Sequence, residues 1–109
     1  MKDLIAVDSL FGGTLAGAID TFGKDNQCRM AIEEMSELTK AICKHLRNFD
    51  NLSDIVEEIA DVEIMMAQLE IIFDCSGKVE TWIDYKLERL QERINSYNEM
   101  KLEGDKNDG

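Results

Sequence analysis

An all-α fold is predicted by three features of this sequence. It contains no proline, glycine is sparse at seven of 109 residues, and apolar residues recur at helical intervals over long stretches. Proline and glycine are what a helix interior tolerates least, so their scarcity favours long helices joined by short turns. The expected architecture is a four-helix bundle-like subunit. A single domain spans residues 1–102, and 103–109 form a disordered polar tail.

The elements follow in order. "MKDLIAVDSLF" reads as a loose arm or short helix ending at a glycine break. "TLAGAIDTFG" predicts a short first helix closed by Gly23. "DNQCRMAIEEMSELTKAICKHLRN" predicts more than five turns, with Asp25 as its cap and a core stripe of Ala31, Met35, Leu38 and Ile42. "FDNLSD" punctuates the chain, with Ser53 as the expected cap of a third helix that runs to about Asp74. A fourth helix is expected from Lys78 to about Met100.

The third helix is apolar on two sides. Ile55, Val62, Met65, Met66, Leu69 and Phe73 make one face, and Val56, Ala60, Ile64, Ala67 and Ile71 make another. A helix apolar nearly all round must be covered on both sides. Four helices in one short chain barely suffice for that, so assembly through this central helix, as a homodimer or homotetramer, is expected. The fourth helix repeats Val79, Ile83, Leu87, Leu90, Ile94 and Tyr97 at heptad-like spacing, which suits a bundle or coiled-coil seam.

Charge narrows the function. A net charge of −11 argues against a nucleic-acid polymer as partner, because such a groove needs a dense basic face. It leaves room for a small phosphorylated ligand bridged by a divalent cation. No apolar run is long enough to span a membrane, and the N-terminus is too short and acidic for a signal peptide. Three cysteines, Cys28, Cys43 and Cys75, form no CxxC pair and suggest reduced thiols in a cytoplasmic protein.

The acidic residues carry the chemistry. Helical steps place Glu34 and Glu37 together on the border of the second helix's apolar stripe, with Glu33, Ser36 and Lys40 turned away. Glu58 and Asp61 repeat that placement on the third helix. Antiparallel packing of the two stripes would bring all four carboxylates toward one cleft. Four like charges in a partly buried cleft need a cation, or else some of them must take up protons. Only hard oxygen is on offer: His45, the single histidine, lies two turns beyond Glu37 and reads as a helix-end residue. A di-iron bundle would need Glu-x-x-His pairs, and zinc prefers nitrogen or sulfur. The ligand set suits Mg²⁺, with Mn²⁺ as a substitute, recruiting a polyphosphate.

"EEMSE", twenty further residues and "EIAD" together resemble the E-E-x-x-E … E-x-x-D signature of the MazG-like all-α nucleoside triphosphate pyrophosphohydrolases. "FGKDNQ" is similar to the segment, often Trp-Gly followed by Gln, that precedes the acidic helix in that family. The similarity covers about Ala18 to Leu69, and the fourth helix more loosely. It implies a helical bundle assembled into dimers or tetramers. Bound Mg²⁺ would hold a triphosphate while water cleaves it to nucleoside monophosphate and pyrophosphate.

Carried over by motif, the metal ligands would be Glu34, Glu37, Glu58 and Asp61, with Glu37 or Glu34 taking the proton from the attacking water. Phe22 stands where Trp is common and would stack on the base; Gln27 would be a further substrate contact. The fourth helix reads "YKLERLQERI", without the Lys-x-x-x-Asn arrangement of many members. Lys86 is its best match to a phosphate-contacting lysine, and Arg89 is second. A non-enzymatic alternative also fits the composition: an acidic helical oligomer that serves as scaffold, nucleotide sensor or partner-binding module.

Overall fold

The computed structural model describes Leu4, Asp8 and residues 13–108. Every element among them is helical: α1 (Thr14–Phe22), α2 (Lys24–Leu46), α3 (Leu52–Ile72) and α4 (Ser76–Asp108). The chain falls into two units, one ending at Asp74 and the other starting at Cys75. The expectation for the N-terminal arm lies outside the described residues, apart from Leu4 and Asp8. The Asp8 carboxylate accepts from the Leu15 N–H at 3.0 and 2.9 Å, so it satisfies a first-turn donor of α1.

Gly23 separates α1 from α2 with φ 90°, a backbone state that L side chains rarely adopt, so the break falls at a glycine. It also occupies the cap position of α2, which leaves the expected cap, Asp25, inside the first turn, where its charge suits the helix dipole. Similarly, α3 is entered from Asn51 rather than Ser53. The buried Asn51 donates through Nδ2 to the Ala41 carbonyl at 3.0 Å, tying the α2–α3 turn back onto α2. That long-range bond fixes the entry point, and Ser53 falls within the helix.

In the first unit α2 and α3 pack most extensively, and α1 packs on both. Among the described residues, the buried apolar ones are Leu15, Ile19, Ala31, Ala41, Met65 and Ala67. On α2 the buried and half-buried line is Gln27, Ala31, Glu34, Leu38 and Ala41, whereas Met35 and Ile42 are 40% and 43% exposed. The expected stripe is therefore turned by about one position. Small alanines at 31 and 41 let α3 approach closely, and Glu34 comes into the seam instead of standing on its border. On α3, Ile55, Val62, Met65, Met66 and Leu69 are buried or half-buried as expected, but Phe73 is exposed. The second stripe of α3 divides: Ala67 is buried and Ile71 half-buried, while Val56, Ala60 and Ile64 are open.

In the second unit, α4 is one helix of 33 residues. It continues through residues 103–108, where the sequence suggested a frayed tail. Lys101 and Asp105 stand one turn apart, a helix-supporting spacing, and no proline interrupts the run. Its heptad residues Ile83, Leu87, Leu90, Ile94 and Tyr97 are exposed.

Candidate functional site

Glu34 comes from the middle of α2, and Glu58 and Asp61 come from the second and third turns of α3. All three are half-buried, and one oxygen from each lies within 4.8 Å of the others. Adjacent turns of antiparallel helices explain the convergence, since residues three apart share a helix face. Three of the four anticipated ligands thus meet. The fourth, Glu37, is exposed, and its Oε1 pairs with Lys40 Nζ at 3.3 Å.

The electrostatics of this triad are unfavourable as it stands. Burial raises the Glu34 carboxyl above its ordinary value, and the charges of Asp61 and Glu58 add to the shift. Burial likewise raises Glu58, reinforced by the charges of Asp61, Glu37 and Glu57. One oxygen of Glu58, Oε2, is sealed from solvent with no hydrogen-bond partner. Buried acceptors without a donor are uncommon, because each keeps its full desolvation cost. Two states relieve the site: protons shared among the carboxyls, or a cation among their oxygens.

The donors fit a hard divalent cation. They are oxygen throughout, too few to saturate six-coordinate Mg²⁺, and so leave positions for water or phosphate. No His or Cys joins the group, and His45 lies in the last turn of α2, as the sequence implied.

The triad lies in a ladder of polar pairs along the α2–α3 seam. Gln27 and Gln68 are both buried, and Gln27 Nε2 donates to Gln68 Oε1 at 2.7 Å. Gln68 in turn faces Met65 Sδ at 3.6 Å. Gln27, marked as a substrate contact by resemblance, has its amide nitrogen engaged inside the protein. Phe22 is 59% exposed at the end of α1, open to a stacking partner.

Sequence reasoning had no means of finding Gln68 or Asn51. A buried glutamine reads like any exposed polar residue until its partner on another helix is known. Lys86 and Arg89 belong to the second unit, where their cationic groups lie 5.7 Å from the Trp82 ring centre and 6.0 Å from that of Tyr85. Trp82 and Tyr85 meet edge to face, with ring centres 5.8 Å apart. This exposed aromatic–cation stripe was not expected beyond its two cations.

Among the described residues no helix is long and apolar enough to cross a membrane. Neither a protein-family model, a curated protein nor a solved structure matches the chain.

Proposed function

We propose that the protein is a Mg²⁺-dependent nucleoside triphosphate pyrophosphohydrolase. The observation that carries this reading is the Glu34–Glu58–Asp61 triad: three carboxylate oxygens within 4.8 Å and one sealed, partnerless oxygen on Glu58. The resemblance of the two acidic motifs to the MazG-like signature supports it. Glu34, Glu58 and Asp61 would hold the ion, with Glu37 reaching it only by swinging away from Lys40. Bound Mg²⁺ supplies charge neutralisation for phosphate oxygens.

The chain's own residues do the rest. Glu37, outside the triad and open to solvent, is the best-placed carboxylate to take a proton from the attacking water, with Glu34 as the other candidate. Water adds to the α-phosphorus, the bond to the bridging oxygen breaks, and monophosphate and pyrophosphate leave. Phe22 would stack on the base. Lys86 and Arg89 are candidate phosphate contacts by the resemblance alone.

Product analysis tests the proposal. Incubation of ribo- and deoxynucleoside triphosphates with Mg²⁺ should yield monophosphate and pyrophosphate from the parent but not from Glu58→Gln. Release of orthophosphate, or equal release by the variant, would refute it.

The second reading, a non-enzymatic helical oligomer, is favoured by a different observation. Val56 and Ile64 on α3 are 59% and 43% exposed, and the heptad face of α4 is also open. Isolated helices gain most of their stability from packing such faces, so a homodimer or homotetramer built through α3 belongs to either reading. Nucleotide binding without product release would select the sensor form of the alternative.

A further inference from the structure

Beside the triad lies a depression that the carboxylate chemistry leaves unexplained. Glu37, Lys40, Lys44, Asn51, Asp54 and Glu58 line it, so it adjoins the triad through Glu58. Lys40 and Lys44 stand one turn apart on α2, and both line the same depression. α3 contains no Lys or Arg. Among the described residues of this unit, the Lys and Arg side chains lie on α2 and at Arg47 in the turn that follows it. Of the bases on α2, only Lys40 and Lys44 line the depression.

Asn51 supplies an independent sign of a ligand here. It is 9% exposed, its Nδ2 is committed to the Ala41 carbonyl, and its Oδ1 has no donor. A buried acceptor in that condition keeps its desolvation cost until a donor reaches it, and a water of a hydrated metal–phosphate complex in the depression that Asn51 lines is one such donor.

We infer that Lys40 and Lys44 form the subsite for the terminal, pyrophosphate-yielding end of the polyphosphate. This deepens the pyrophosphohydrolase reading and rests on it. The ligand runs from the ion at Glu34, Glu58 and Asp61 toward the Asn51 end of the seam. Its two terminal phosphates meet the ammonium groups, and the Lys40–Glu37 pair opens when they arrive. Releasing Glu37 from Lys40 also frees the carboxylate proposed as proton acceptor. Substrate binding and base activation are thereby coupled.

The test uses inorganic pyrophosphate as the probe and needs no turnover. Mn²⁺ binding is followed by electron paramagnetic resonance, and pyrophosphate binding in excess Mg²⁺ by calorimetry. Lys40→Met and Lys44→Met keep most of the side-chain length. Each should weaken pyrophosphate binding roughly tenfold, the effect of one charge-assisted contact, with Mn²⁺ affinity no weaker than the parent's. Lys→Arg at either position should restore most of the loss. Parent-like pyrophosphate binding by both Met variants, with Mn²⁺ binding intact, would overturn the subsite and leave the metal reading standing. Absence of Mn²⁺ binding by the parent would overturn both.

Discussion

Gln27 on α2 donates to Gln68 on α3 across 2.7 Å, two helical turns from Glu34 and Asp61 respectively. The bond sets which turns of the two helices face each other. Its register is the one that brings Glu34 against Glu58 and Asp61. The two glutamines are therefore better understood as positioning residues for the carboxylates than as substrate contacts.

Breaking that pair from one side should be costly. Gln68→Leu strands the buried Gln27 amide and should destabilise the fold by about 1–3 kcal/mol. Gln27→Leu with Gln68→Leu removes both polar groups and should recover most of that loss. Urea denaturation of the two single variants and the double variant measures the difference. Additive losses in the double variant would show that the bond does not couple the helices.

Relief of repulsion gives a second expectation. In metal-free buffer, Glu58→Gln should melt at a higher temperature than the parent, because one buried like charge is gone and the amide brings a donor. Added Mg²⁺ should raise the parent's melting temperature and leave the variant's nearly unchanged. Its turnover should fall by about two orders of magnitude or more.

The raised carboxyls of Glu34 and Glu58 set a pH dependence with a definite sign. The folded chain holds these protons above the ordinary value of 4.5, where the unfolded chain has begun to lose them. Their contribution to stability is therefore fully present below that value and is lost as pH rises through the folded values. Metal-free parent should lose stability relative to Glu34→Gln/Glu58→Gln as pH rises above 4.5. Melting curves of both across that range supply the check. Mg²⁺ binding should weaken in the opposite direction, as pH falls and protons compete for the same oxygens.

The exposed part of α3 makes a fourth expectation. Val56→Glu with Ile64→Glu should lower the mass measured by light scattering, since two charges cannot be buried at an apolar contact. An unchanged mass would place the contact elsewhere, with the heptad face of α4 next to be tested.

Much of this was legible in the sequence, and for local reasons. Helical periodicity, absent proline and Gly23 are properties of short stretches, so all four helices begin within a few residues of expectation and three of them also end there. The motif spacing likewise marked Glu34, Glu58 and Asp61. The misplacements have separate causes. Asn51 takes the start of α3 from Ser53 through a bond to Ala41 ten residues away, and Glu37 leaves the cluster for a nearby lysine. The α2 stripe turned because alanines permit a close approach that periodicity weighs no differently from any other apolar residue.

The sequence by itself determined the all-helical character of the chain, its acidity and the pairing of carboxylates on single helix faces. These depend on backbone propensity and a fixed angular step, which neighbours in sequence supply. Tertiary structure alone decided which carboxylates meet, which one stays in solvent, and that two glutamines and an asparagine hold the seam. Those outcomes depend on register between helices. Register is set by contacts between residues far apart in the chain, where no local pattern records it.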